Sequence, residues 1–164
     1  YAGIMIDTNN FLTKTGVRTF EAAAFLRRCG ADVTRVRKMF REHVEDYRAK
    51  GEAIRNAELF REHFAISVCP SEGLDSPTVV GAQAANELLN IIGVKASFVL
   101  TDYRNTIYIS ARSIDEINVQ IVMERLGGGG HLNIAGAQLE HYSITEAKDV
   151  LKQTLQKMLD EGDI

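Results

Sequence analysis

Cysteine is scarce in this sequence, and its scarcity excludes two classes of protein. Cys29 and Cys69 are the only two, 40 positions apart in plain surroundings. They make neither a disulfide framework nor a zinc-ligand spacing, and neither has a basic sequence neighbour that would make it a nucleophile. That usage suits a reducing, cytoplasmic setting. Long apolar runs are missing too. Nothing approaches the roughly 20 residues of a membrane span, and no basic-then-apolar leader opens the chain. Positive charge is not in excess. Nineteen Lys and Arg stand against 22 Asp and Glu, a net charge of −3, so no broad basic surface advertises a long nucleic acid. A small anion held at a local site is still allowed.

What is present is ordinary globular composition in 164 residues, 45% hydrophobic and 25% charged, enough for one domain or two small ones. The chain opens on Tyr1 in the apolar run "YAGIMID" and reads as a piece of a longer protein. That run ends in the turn formers Asp7-Thr8-Asn9-Asn10. Thr19 reads as the cap of a helix from Phe20 to about Cys29, closed by Gly30. Asp32 reads as the cap of a long helix with the stripe Val33, Val36, Phe40, Val44 and Tyr47. Its charged tail carries the pattern through Gly51 to about Glu58, a length of roughly 40 Å that suits a bridge between domains.

From Phe64, "FAISVC" is strand-like, and Ser76 with Pro77 starts a helix through Ile92 that Gly93 stops. The runs "KASFVLT" and "TIYISAR" flank Asp102-Tyr103-Arg104-Asn105 as an antiparallel hairpin. In its second strand Ile107, Ile109 and Ala111 share one face, and Tyr108, Ser110 and Arg112 the other. Asp115 reads as the cap of a helix through Arg125. Ser143 and Glu146 form a capping box for a last helix with the stripe Ile144, Ala147, Leu151, Leu155 and Met158. The expected fold is therefore α/β: a helical remnant and long linker helix, followed by an α/β domain whose mixed sheet is built on the hairpin at 96–112.

The segment "LGGGGHLNIAGA" is the sharpest feature. Each of Gly127, Gly128, Gly129 and Gly130 weakens a helix or strand by roughly 0.5 to 1 kcal/mol relative to alanine. Read as a loop ahead of another helix, they expose main-chain N–H groups that bind anions, with His131 placed to donate to a phosphate oxygen or exchange a proton. The competing reading is a tight connection with His131 merely exposed. Ala135, Gly136 and Ala137 serve close packing. Arg112, at a strand end, is either a bidentate phosphate grip or a solvated arginine. Asn118 holds a base or phosphate, or helps cap a helix. Asp7 is a carboxylate metal ligand or a cap, with no His-rich or Asp-rich cluster around it. His43, His63 and His141 read as surface histidines.

Taken in order, "AGIMIDTNNF", "RTFEAAAFLRR", "ISARS", "INVQIVMERLGGGGH" and "AGAQL" resemble the DHH phosphoesterase family, in its cyclic di-AMP phosphodiesterase branch. The resemblance implies that residues 1–58 are the end of the catalytic DHH domain with a connecting helix. Residues 59–164 would be the DHH-associated substrate-binding domain. It implies two Mn²⁺ ions per intact site with Asp7 as one ligand, His131 as a catalytic residue, and Arg112, His131 and Gly127 to Gly130 on substrate phosphate, with Asn118 near the nucleotide. The family's His-x-x-x-Asp-x-Asp and Asp-His-His motifs do not occur in these residues and are expected upstream. "AGAQ" also departs from the family's usual Ala-Ala-Gly.

The implied function is the C-terminal portion of a manganese-dependent enzyme opening cyclic di-AMP to pApA, inactive by itself. The alternatives are an oligoribonuclease or pApA phosphatase of the same family, and a non-catalytic nucleotide- or RNA-binding module. The implied partners are the upstream catalytic domain and a cyclic dinucleotide or short oligonucleotide, and a homodimer is an allowed assembly. The implied location is cytoplasmic, with the parent protein anchored at a membrane.

Overall fold

Apolar and polar residues alternate along 106–113, and a computed structural model describing all 164 residues makes this stretch an interior strand of a six-stranded mixed sheet. The strands are β1 (Glu58–Phe60), β2 (Phe64–Cys69), β3 (Ala96–Tyr103), β4 (Thr106–Ser113), β5 (Gly129–His131) and β6 (Ile134–Glu140), in the order β1-β2-β3-β4-β6-β5. Only β2 and β3 run parallel. They need a crossover, which α5 (Pro77–Leu88) supplies, with Pro77 at its first position. The β3–β4 hairpin closes on Arg104 and Asn105 at φ 53° and 61°. Two positive φ values match the right-handed strand twist. The mixed α/β fold expected from sequence is the one found.

The sheet has two cores, one on each face. On the first, Ile107, Ile109 and Ala111 join Phe64, Phe98, Leu100, Ala135 and Ala137 beneath α6 (Val119–Arg125) and α7 (Ile144–Glu161). The capping box at Ser143 and Glu146 forms as expected, and Ala147, Leu151, Leu155 and Met158 are all fully buried. Each of the three larger ones contributes roughly 1.5 to 3 kcal/mol. On the second face α4 (Val44–Arg55) and α5 cover β2 and β3. There Ser67 and Ser97 donate to the helix carbonyls of Ala53 and Ala85 at 2.5 and 2.6 Å. Beyond β4 that face is open: Ile134, Gln138 and His131 are exposed.

Several expected boundaries shift. The single helix from Asp32 to Glu58 is two: α3 (Val33–Met39), capped by Asp32 as expected, and α4. Basic Arg37 and Lys38 close the first, and acidic Glu45 and Asp46 open the second. Each set opposes the local helix-dipole charge, so the charge order favours two ends over one continuous helix. The proposed apolar stripe accordingly fails, leaving Val44 and Tyr47 exposed. Residues 58–60 extend as β1, anchored by Lys148 and Lys152 of α7 on Glu58. The helix α2 (Val17–Arg28) starts one turn earlier than expected, capped at Gly16, because Thr19 reaches back to the Gly16 N–H. Similarly, α5 stops at Leu88, one turn before Ile92, where Asn90 donates to Glu87.

The chain divides into two compact units, Tyr1–Glu42 and His43–Ile164. The first holds α1 (Ala2–Asp7), α2 and α3, with the rings of Tyr1, Phe11 and Phe20 in successive contact at 6.2 and 5.6 Å. The second holds the sheet and α4 to α7.

Candidate functional site

Three of the four consecutive glycines have reasons inside the fold. Gly127 ends α6 at φ 78°. Its N–H reaches Glu124 O at 3.0 Å, while that of Gly128 reaches Met123 O at 2.8 Å, the paired bonds of a Schellman turn. A Cβ on Gly128 would strike Gly136 O and stand 2.7 Å from Ala137 Cα. Gly130, at φ 147°, would place one 2.5 Å from both Ala135 Cα and Ile134 O. Gly129 is different: a Cβ there meets nothing within 4 Å, and its φ is not positive.

The expected loop ahead of a helix is instead the hairpin β5–β6. Ile134–Glu140 alternates exposed and buried residues, a period of two that fits a strand, so no helix N-terminus offers N–H groups to an anion. Leu132 and Asn133 close the hairpin. They are pinned by Val119 N–H on Leu132 O at 2.9 Å, Ser113 N–H on Asn133 O at 3.1 Å, and Asn133 Nδ2 on Asp115 at 2.6 Å. Ala135, Gly136 and Ala137 pack closely, as expected.

Strand register then assembles a row. Arg112 of β4 stands opposite Ile134 of β6, which stands opposite His131 of β5. Opposed residues share a face, so Arg112 and His131 point to the open side with Ile134 between them. The next row along is Ser110, Gly136 and Gly129, and the next Tyr108 and Gln138. Arg112 is half-buried and donates from Nε to Asn86 Oδ1 of α5 at 3.0 Å and from Nη1 to Ala111 O at 2.9 Å. No carboxylate pairs with it. Burial lowers its pKa below the usual arginine value, the mark of a cation short of solvent and of a counter-charge. Asn86 was not legible in sequence. It lies 26 positions away on a helix, and only the packing of α5 beside β4 brings it to Arg112.

The remaining expected residues are placed elsewhere. Asn118 caps α6, with Oδ1 accepting from Gln120 N at 3.1 Å, and α6 lies on the opposite face of the sheet. Asp115, expected as that cap, has φ 55° and holds Asn133 instead. Asp7 is the exposed last residue of α1. A carboxylate there meets the negative end of the helix dipole, so the capping alternative fails. The capping group is the buried Thr8 beside it, donating to Ile4 O at 2.6 Å and accepting from Phe11 N at 2.9 Å. Asp7 belongs to the first unit and the Arg112 row to the second. Across the chain no three His, Cys, Asp or Glu side chains converge as a metal site would require.

The second unit is thus a mixed sheet with helices on both faces and a glycine-histidine hairpin at one edge. The chain belongs to the DHHA1 domain family, which matches residues 63–158. It is 41% identical over 162 residues to the cyclic-di-AMP phosphodiesterase GdpP of Geobacillus thermodenitrificans, covering 98% of this chain and 24% of that protein. It is 42% identical over 163 residues to GdpP of Bacillus subtilis, covering 98% and 25%. The chain thus spans about a quarter of the length of these relatives. A crystal structure of an exopolyphosphatase-related protein from Bacteroides fragilis superposes with a TM-score of 0.84 at 23% identity, over 94% of this chain and 48% of that one. That likeness is one of fold.

Proposed function

We propose that the chain is the C-terminal portion of a phosphodiesterase that opens cyclic di-AMP to pApA, and that its share is to hold a substrate phosphate. The observation that carries this reading is the row of Arg112 and His131 on an open sheet face, its arginine half-buried and unpaired by any carboxylate. The identity to phosphodiesterases of that substrate supports it. Arg112, steered by Asn86, presents its remaining N–H groups to a phosphate oxygen. His131 binds a second oxygen and is placed to move a proton to or from it.

Mn²⁺ would supply a metal-activated water to the intact enzyme. Of the residues here only Asp7, an exposed carboxylate, would belong to such a centre, its partner ligands lying upstream on this reading, and no step derived from this chain runs through a metal. The full protein is anchored at a membrane, on this reading, and this part faces the cytoplasm. No helix here is long and apolar enough to cross a membrane.

The test is isothermal titration of pApA into the chain and its Arg112→Ala and His131→Ala variants. A charge-assisted hydrogen bond is worth about 1.5 to 3 kcal/mol, so each loss should weaken binding roughly tenfold or more with the melting temperature held. Unchanged affinity in both variants would return the glycine-histidine hairpin to a connecting role.

A further inference from the structure

Two features of the open face are unused by a phosphate grip. Gly129 has neither a conformational nor a packing reason to be glycine. It pairs with Gly136, beside the half-buried Ser110, so the middle row of the face carries almost no side chain. At the far border of that bare row stands Tyr108, half-buried, its hydroxyl without a protein hydrogen bond, its ring 6.5 Å from that of Tyr103. Tyr103 is itself covered by Arg104 at 4.9 Å. Exposed Gln138 lies opposite Tyr108 on β6.

Successive rows on one face are about 6.8 Å apart along a strand, and three strands span about 10 Å. A phosphate on the Arg112 row therefore leaves its ribose directed along the strands and a planar ring over the bare row. We propose that Tyr108 and Gly129 are specificity-determining residues that seat a nucleobase there, the ring lying on the Gly129–Gly136 backbone with an edge or face against Tyr108 and its polar rim within reach of Gln138. Glycine at 129 keeps that floor flat, and the tyrosine supplies the aromatic surface on which a base stacks. This inference rests on the phosphate reading of Arg112 and His131 and adds to it the residues that seat the base of the nucleotide.

The experiment is calorimetric titration of AMP and of ribose 5-phosphate, which share a phosphate and a ribose and differ by the base. It uses the chain and its Tyr108→Ala, Tyr108→Phe, Gly129→Val and Arg112→Ala variants, with thermal unfolding run on each. AMP should bind the unsubstituted chain more tightly than ribose 5-phosphate. Tyr108→Ala and Gly129→Val should each weaken AMP about tenfold and ribose 5-phosphate far less, while Tyr108→Phe, which keeps the ring, holds AMP. If Gly129→Val melts early, Gly129→Ala replaces it with a smaller loss of the same selectivity. Arg112→Ala should weaken both ligands. Equal affinities of the unsubstituted chain for the two ligands, or equal losses for both in the Tyr108 and Gly129 variants, overturn the base seat. An Arg112→Ala variant that binds both ligands normally overturns the phosphate reading beneath it.

Discussion

Replacing the glycines by alanine one at a time should separate those the fold requires from the one it does not. At Gly130 the added Cβ meets two faults together. Its φ of 147° lies where L side chains rarely go, a strain of order 1 to 3 kcal/mol. The 2.5 Å approach to Ala135 Cα and Ile134 O involves backbone of the paired strand, which cannot rotate aside, and overpacking of this kind costs typically 1 to 3 kcal/mol. Gly130→Ala should therefore lose about 2 to 6 kcal/mol. Gly128→Ala, with the clash on Gly136 O but no positive φ, should lose about 1 to 3 kcal/mol. Gly129→Ala has free space and permissive backbone, so the restricted unfolded chain should make it neutral or more stable by up to about 1 kcal/mol. A unit of this size shifts by roughly 3 to 5 °C per kcal/mol, so thermal unfolding followed by circular dichroism resolves the three. Gly129→Ala unfolding as early as Gly130→Ala would refute the argument, and so would a neutral Gly128→Ala. The four glycines read alike in the sequence, and the structure sets Gly129 apart from the neighbours on either side.

The two thiols should also differ. Cys29 is exposed, whereas burial pushes the Cys69 thiol up to about 11, so Ellman's reagent at pH 8 should titrate one thiol per folded chain and two in denaturant. Two in the native protein would refute the packing of α5 over β2. Glu58 lies beneath Lys148 and Lys152, and chiefly the hydrogen bond from Lys148 holds its pKa below the usual carboxylate value. A depressed folded pKa means stability present above the ordinary carboxylate range and lost as pH falls through the folded value. Glu58→Gln should thus cost under about 1 kcal/mol at neutral pH, given its exposure, and the gap to the unsubstituted chain should close in urea titrations as pH falls below the ordinary carboxylate range. A gap that persists at acid pH would assign the effect to packing instead.

The sequence by itself determined several elements whose cause is local. The Ser143 and Glu146 capping box, the α7 stripe, Pro77 at a helix start and the alternation of 106–113 depend on residues within a turn or two of one another, and all of them formed. The family, too, was legible, because "ISARS", "INVQIVMERLGGGGH" and "AGAQL" resemble its segments in that order. Tertiary structure alone decided the rest. Three-residue strands such as β1 and β5 carry no period of their own and exist only through their pairing partners. The break at 40–43 and the hairpin after His131 were hidden because apolar spacing does not report where a chain turns back. The Arg112 row illustrates the division best. Alternation said that Arg112 leaves the core, but its alignment with His131, 19 residues on, follows from two strand registers, and its contact with Asn86 from a helix packed beside the sheet. Pairing and packing join residues far apart in the chain, and those interactions have no counterpart in local periodicity.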